Sequence, residues 1–239
     1  MNELAVLFED HHLIAVNKPA PLLTQAPAGI PSLEEQVKSY IKVKYAKPAG
    51  VYLGVPHRLD RPVSGAVLFA RNTKAAQRVH LQFHDRTVEK VYWALLEGWV
   101  EDESARWADL IRKVDGESRV VRGEPGDPES RQAVLTSRVL QRFENRTTLV
   151  ELNPETGRMH QLRVQSAWRG HPVLGDVAYG STVSFGPTGP SDDPRERVIA
   201  LHARRLEVDH PFTKERLRFT APLPSYWPAT LENEPRPVA

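Results

Sequence analysis

Residues 57–65, with the sequence His-Arg-Leu-Asp-Arg-Pro-Val-Ser-Gly, place one carboxylate between two guanidinium groups just before an apolar run at 66–70. The carboxylate is Asp60, and its flanking cations are Arg58 and Arg61. Nearby positive charges lower the pKa of a carboxyl group, so we expect Asp60 to be ionised. An ionised carboxylate can act as a nucleophile or a base. A surface ion-pair cluster at a turn explains the same residues without any chemistry.

A second group of such side chains lies in residues 155–165, which contain Arg158, His160 and Arg163. If residues 159–169 are helical, His160 and Arg163 lie one turn apart on one face of the helix. Gly170 and Pro172 then follow in the places where helices end. A helix with a hydrated polar face fits this pattern nearly as well.

Tyr92 is a third candidate. Residues 88–96 are rich in Val, Tyr and Trp, which favours a strand, and Lys90 and Tyr92 are two apart and therefore share a face. A tyrosine on a half-buried strand face offers a flat apolar ring and a hydroxyl. An ordinary core tyrosine has the same pattern.

The elements that must position these residues follow from hydrophobic periodicity and turn residues. The pattern predicts a hairpin at 5–16, a helix at 33–45 opened by a capping box at Ser32, and a helix capped by Thr73 that ends near Asp85. It predicts strands at 66–70, 88–96, 132–140, 147–152, 197–203, 204–209 and 217–220. Residues 112–131 and 181–196 are predicted to form surface excursions. Because the strands cluster in runs, we expect a single α+β domain over 1–228 with a mostly antiparallel or mixed central sheet flanked by helices, and a flexible tail at 229–239.

Composition limits the possible functions. The 239 residues include no cysteine, which excludes disulfides, thiolate catalysis and zinc sites built on cysteine. No apolar stretch approaches the roughly 20 residues that span a bilayer, so we expect a cytoplasmic protein without membrane contact. The net charge is only +2, but residues 57–90 hold seven Lys or Arg and three Asp or Glu, a local balance of +4. This segment could face an anionic partner.

Several mechanisms lack their local signatures. The chain has no Gly-rich dinucleotide fingerprint, no phosphate-binding Walker sequence and no G-x-S-x-G nucleophile elbow. A metal hydrolase built on His57, Asp60, His160 and Asp176 is possible on paper, although such widely spaced residues occur by chance in most chains.

The stretch at 57–65 resembles the H-R-L-D-x-x-T-S-G signature of the RluA-type pseudouridine synthases. Further blocks similar to this family follow in the family's order at Asn17–Ala20, Lys90–Ala94, Thr156–Val164, Gly170–Asp176, Tyr179–Gly180, Leu201–Ala203 and Ala221–Pro224. The sequence departs from the family pattern at Pro21, Val63, Met159 and Gln165. The resemblance implies the short form, without the S4-type RNA-binding domain that precedes the catalytic domain in many relatives.

The resemblance also implies roles for individual residues. Asp60 would be the catalytic residue, Tyr92 would stack on the target base, and Arg163 would form an ion pair with Asp60. Arg58 would help fill the RNA helix that the flipped uridine leaves. The remaining residues that we expect to contact the substrate are Arg61, Arg158, His160 and Leu162.

The predicted function is therefore the isomerisation of a specific uridine to pseudouridine in a structured tRNA or rRNA by a monomeric enzyme. The reaction requires no redox partner, phosphate donor or metal, so no cofactor is expected. A non-catalytic RNA-binding or RNA-chaperone protein on the same fold is the alternative from another class.

Overall fold

A computed structural model of the chain describes residues 4–187, 193 and 195–231. The Cα positions group into two compact units, which are described separately below. Unit 1 comprises Met1–Lys90 and Ala203–Pro224, and unit 2 comprises Val91–His202 and Ser225–Ala239. In the described part of the chain, no helix has the length and apolar character needed to cross a membrane.

The chain forms ten strands and three α-helices in the described residues. The strands are β1 (Val6–Glu9), β2 (Leu13–Lys18), β3 (Ser64–Ala70), β4 (Glu89–Glu97), β5 (Ser104–Lys113), β6 (Val120–Arg122), β7 (Arg131–Phe143), β8 (Thr147–Pro154), β9 (Leu201–Asp209) and β10 (Arg216–Thr220). The helices are α1 (Leu33–Lys44), α2 (Thr73–His84) and α3 (Gln161–Trp168), with short 3-10 turns at Val177–Tyr179 and Ala229–Leu231.

In unit 1 the strands follow the order β1-β2-β3-β9-β10. The β1–β2 hairpin closes through Asp10, whose Oδ1 accepts the backbone N–H groups of His12 and Leu13 at 2.7 and 2.6 Å. All seven residues of β3 are buried, and this strand pairs antiparallel with β2. The strand that follows the Asp60 loop is therefore held in the interior of unit 1.

Both helices of unit 1 begin with a side-chain cap. Ser32 Oγ accepts the backbone N–H of Glu35 at 3.3 Å, as the capping box predicts for α1. The cap of α2 is Asn72, not Thr73 as predicted, because the side-chain Oδ1 of Asn72 accepts the backbone N–H of Ala75 at 2.9 Å. Helix α2 buries Ala75 and Val79 in an apolar cluster with Leu68.

In unit 2 the strands follow the order β4-β8-β7-β5-β6 with antiparallel pairing. Helix α3 packs Val164 against Ile111, Val120 and Ala133 of this sheet. Met159, Trp168 and Tyr179 cover the edge of the same cluster. The core of unit 2 therefore reaches the segment that carries the second group of candidate residues.

The predicted α+β class with a mostly antiparallel sheet is confirmed, and the boundaries differ in a few places. Strand β5 was not predicted, and the excursion at 112–131 contains β6 within a hairpin. The two strands predicted at 197–209 are one strand, β9. Part of the predicted 181–196 loop lies outside the described residues, and so does the predicted tail beyond residue 231. The first three residues of the predicted tail, at 229–231, form a 3-10 turn in which Leu231 is fully buried.

Candidate active site

The loop that carries Asp60 is fixed to the segment after β2 by hydrogen bonds to the backbone of the loop. Thr24 Oγ1 accepts the N–H of Leu59 at 3.0 Å and donates to its carbonyl at 2.9 Å. The N–H of Leu22 donates to the carbonyl of Arg61 at 3.0 Å, so both neighbours of Asp60 are held. Asp60 itself is half-buried. The backbone that carries the Asp60 carboxylate is therefore fixed on both sides.

A buried ammonium group lies beside this loop. The side chain of Lys18 is fully buried, and its Nζ donates to the carbonyls of Leu22, Pro19 and Arg61 at 2.6, 3.1 and 3.3 Å. Burial lowers the pKa of Lys18 to about 7, and the nearby charge of Asp60 opposes this shift. Lys18 thus connects the end of β2 to the Asp60 loop and adds a positive charge near the carboxylate.

His57 supports the other end of the loop. Its Nε2 accepts the backbone N–H of Leu68 at 2.9 Å, and its ring stacks on Phe83 with centroids 4.7 Å apart. Burial of the imidazole, together with the charge of Lys90, lowers the pKa of His57 to about 3. A neutral imidazole with its proton on Nδ1 satisfies this geometry. His57 is therefore a structural support between the loop and β3.

Gly65 allows β3 to lie against β9. Its φ of +121° is a backbone conformation that favours glycine. A Cβ at this position would lie closer than 3.0 Å to the backbone N, Cα and O of Ala203. Position 65 therefore requires glycine, because two strand backbones approach closely there.

The arginines that flank Asp60 differ in exposure. Arg58 is exposed and Arg61 is half-buried. Within the described residues, neither one lies within ion-pair distance of an Asp or Glu. The surface ion-pair cluster considered from the sequence is therefore not the arrangement of these two side chains.

The candidate residues of unit 2 lie on β4 and around α3. Tyr92 is half-buried on β4, where it pairs with Leu152 of β8. Arg158 is exposed, and its Nε donates to the carbonyl of Gln132 at 3.1 Å. Leu162 is buried in the first turn of α3. Tyr92 and Leu162 thus lie on β4 and α3 of unit 2, and Arg158 lies just before α3.

Arg163 forms a buried, two-point ion pair with Asp176. Its Nε and Nη2 donate to Oδ2 and Oδ1 at 2.6 and 2.8 Å, and the side chains of Arg163 and Asp176 are only 8% and 2% exposed. Nothing in the sequence predicted this partner. Asp176 lies in the block at 170–176 that resembles the family, but its contact with α3 depends on the folding of the intervening turn. The pairing of Arg163 with Asp60 stays a prediction.

The predicted helical placement of His160 is wrong. Helix α3 begins at Gln161, and His160 precedes it in the left-handed conformation with φ of 52°. Its Nδ1 is hydrogen-bonded to the hydroxyl of Tyr179 at 2.8 Å. The ring of Tyr179 also lies 5.0 Å from the guanidinium carbon of Arg163. His160 and Arg163 therefore meet at Tyr179, although they do not share a helix face.

A buried hydrogen-bond network shapes the segment before α3. Thr156 Oγ1 donates to Gln161 Oε1 at 2.7 Å, and Gln161 Nε2 donates to the carbonyl of Val134 at 3.0 Å. Gln161 Oε1 also accepts the backbone N–H of Arg158 at 3.1 Å. This network holds the backbone of Arg158 at the start of the helix and ties the segment to β7.

The metal arrangement considered from the sequence has no support in the geometry. Among the residues that the structure describes, no three His, Asp or Glu side chains come close enough together to hold a metal ion. Asp176, one of the four residues considered, is instead occupied by Arg163.

Comparisons with known proteins agree with the motifs of both units. A sequence model of the family described as RNA pseudouridylate synthase matches residues 12–168. The dual-specificity RNA pseudouridine synthase RluA of Pasteurella multocida is 36% identical over 224 residues, covering 92% of this chain and 93% of that relative. tRNA pseudouridine synthase C of Vibrio parahaemolyticus is 30% identical over 235 residues, covering 94% and 92%.

A solved structure extends the likeness to the fold. Human RNA pseudouridylate synthase domain containing 4 superposes with a TM-score of 0.74 at 25% identity, covering 93% of this chain and 89% of that chain. The family match includes the Asp60 loop of unit 1 and the residues around α3 in unit 2. The chain belongs to the RNA pseudouridylate synthase family, whose members are isomerases that act on RNA.

Proposed function

We propose that this protein converts a specific uridine of a structured tRNA or rRNA to pseudouridine, with Asp60 as the catalytic residue. The observation that carries the proposal is the fixed Asp60 loop in a chain of this family. Thr24, Leu22 and Lys18 hold the loop through its backbone, so the chain that carries the carboxylate is preorganised. Preorganised charge is the form in which proteins contribute most to catalysis.

The chemistry balances without any group beyond the RNA and the protein. The bond between C1′ of the ribose and N1 of uracil breaks, and a bond between C1′ and C5 of the same uracil forms. The hydrogen on C5 leaves as a proton, and N1 gains one. Asp60 acts as a nucleophile on the base or as a base toward the ribose, and both routes use its ionised form.

The remaining site residues bind and position the RNA in this proposal. Tyr92 stacks on the flipped base, a contact worth about 1–3 kcal/mol. Arg163 pairs with Asp60 and keeps it charged once the RNA excludes water. Arg58 takes part of the space that the flipped uridine leaves. Leu162 adds an apolar contact to the base.

Phosphate binding completes the proposed contacts. Arg61, Arg158 and His160 contact the RNA backbone, which makes affinity depend on salt. The names of the two relatives, a tRNA pseudouridine synthase and a dual-specificity RNA pseudouridine synthase, support RNA, including tRNA, as the substrate class. We include in the proposal a monomeric, cytoplasmic enzyme whose catalytic domain covers residues 1–228. Size-exclusion chromatography with light scattering tests the oligomeric state.

The experiment uses RNA transcripts with tritium at C5 of uridine. We expect the purified protein to release tritium from tRNA or rRNA transcripts, with Asp60→Asn binding the same RNA but releasing none. Chelation by EDTA should leave the rate unchanged once RNA folding is controlled. Binding without tritium release by the unmodified protein would instead favour a non-catalytic RNA chaperone.

A further inference from the structure

Tyr179 contacts two of the polar side chains of unit 2 to which the proposal gives a role, Arg163 and His160. It ends the 3-10 turn Val177–Tyr179, and it is half-buried. Its ring faces Arg163, and its hydroxyl reaches His160. None of the roles proposed for the site residues involves this tyrosine. Its position therefore needs a separate explanation.

The ring of Tyr179 and the carboxylate of Asp176 act on the same guanidinium group. The two carboxylate oxygens of Asp176 accept hydrogen bonds from two nitrogens of Arg163, at 2.6 and 2.8 Å. The guanidinium carbon lies 5.0 Å from the Tyr179 ring centroid, within the range of a cation–π contact. Asp176 begins and Tyr179 ends a single turn, in which the Tyr179 N–H donates to the Asp176 carbonyl at 2.9 Å. One short turn thus restrains Arg163 from two directions.

The hydroxyl of Tyr179 acts on a different residue. Its oxygen accepts the backbone N–H of Val120 in β6 at 3.3 Å. The same hydroxyl is hydrogen-bonded to Nδ1 of His160, 2.8 Å away. The His160 and Tyr179 rings meet edge to face at an angle of 86°. Strand β6, the 3-10 turn and the residue before α3 are joined at this single oxygen.

His160 depends on such an anchor because its backbone is unfavourable. A φ of 52° is uncommon for a residue other than glycine. Left-handed residues cost roughly 1–3 kcal/mol and persist when neighbouring contacts hold them. No side-chain hydrogen bond from His160 caps α3. The bond to Tyr179 therefore helps to retain the left-handed conformation and directs the imidazole.

We propose that Tyr179 is a positioning residue with two separable functions, in which its ring orients Arg163 and its hydroxyl orients His160. The inference rests on the proposed function, because it assigns Arg163 to the catalytic step and His160 to RNA binding. Loss of the ring should then reduce kcat, and loss of the hydroxyl alone should raise KM.

The test compares Tyr179→Phe with Tyr179→Leu in the tritium-release assay on the transcript that the unmodified protein turns over best. We expect Tyr179→Phe to raise KM about 5-fold and to change kcat less than about 2-fold. We expect Tyr179→Leu to lower kcat by about 10-fold or more, the equivalent of roughly 1.4 kcal/mol in the barrier. Tyr52→Phe and Tyr52→Leu, at an exposed tyrosine of unit 1, are the matched controls and should leave both constants unchanged.

A double-mutant cycle keeps the hydroxyl function testable if Tyr179→Leu does not fold. The effects on KM of Tyr179→Phe and His160→Asn should be strongly non-additive, because either change removes the same bond. Additive effects, or a Tyr179→Phe enzyme identical to the unmodified protein, would overturn the inference. If the unmodified protein releases no tritium from any transcript, the proposed function fails instead.

Discussion

Arg163 and Asp176 face each other across a buried two-point ion pair, 2.6 and 2.8 Å long, between α3 and the turn that precedes Tyr179. Removal of one partner of such a buried pair is strongly destabilising, because it leaves the other charge uncompensated. The chain also contains an exposed ion pair of the same two-point type, between Arg106 and Glu155 at 3.1 and 3.0 Å. The two pairs differ mainly in exposure, which makes them a natural comparison.

Replacement of Asp176 by Asn should destabilise the protein by about 3 kcal/mol, because it leaves the Arg163 charge buried without its counter-charge. Glu155→Gln, the control at the exposed pair, should cost less than about 1 kcal/mol. Urea unfolding measures both free energies. Equal losses for the two variants would show that burial does not determine the value of the Asp176 carboxylate.

Gly65→Ala should destabilise unit 1 by more than about 3 kcal/mol, because strain at positive φ adds to a clash with the backbone of Ala203. Gly116→Ala is the matched control, since Gly116 has a φ of +73° and an added Cβ would meet nothing within 4 Å. That variant should lose only about 1 kcal/mol. Thermal unfolding followed by circular dichroism compares them, and a similar loss in both variants would contradict a tight β3–β9 approach at Gly65.

His57 should make the protein sensitive to acid. Its folded-state pKa of about 3 lies below the ordinary value of 6.5, so between these two pH values the unfolded chain binds more protons. The free energy of unfolding should therefore fall by about 2 kcal/mol between pH 7 and pH 5 because of this residue. His57→Gln, which retains an acceptor for Leu68, should lose this part of the pH dependence. The exposed His80→Gln should keep it, and identical pH profiles for both variants would contradict a buried neutral imidazole at position 57.

Lys18 should make the free energy of unfolding depend on pH in the neutral to alkaline range. Its folded-state pKa of about 7 lies below the ordinary value of 10.5, so the unfolded chain binds more protons between these values. Stability should rise with pH from about 7 to about 10.5, by roughly 2–3 kcal/mol between pH 6 and pH 9. Lys18→Met should lose that rise, whereas the exposed Lys42→Met should retain it. Parallel curves for the unmodified protein and Lys18→Met would show that Lys18 does not titrate in this range.

The sequence was informative where structure is determined locally. Helix α1 was predicted because Ser32, the apolar spacing and the following break all lie within one short segment. The β1–β2 hairpin was predicted for the same reason. Strand β5 was missed because its pairing with β6 and β7 depends on residues outside its own segment, and its burial alternates irregularly.

The candidate site shows the same limit. Asp60, Tyr92 and Arg163 were selected through motifs, but the partner of Arg163 was missed because Asp176 reaches it only through a folded turn. The left-handed backbone of His160 was not predicted, because positive φ is uncommon even for histidine, which is enriched there. Lys18 was noted from the sequence only within the Asn17–Ala20 block that resembles the family, because its bonds to three carbonyls require the folded Asp60 loop.

The most direct measurement of the central claim is a map of pseudouridine in tRNA and rRNA from cells with the gene, without it, and with the Asp60→Asn allele in its place. We predict that at least one pseudouridine present with the unmodified gene is absent in the other two strains, at equal levels of folded protein. A site that disappears on deletion but persists with Asp60→Asn would contradict Asp60 as the catalytic residue. Identical maps in all three strains would contradict the proposed activity on tRNA and rRNA.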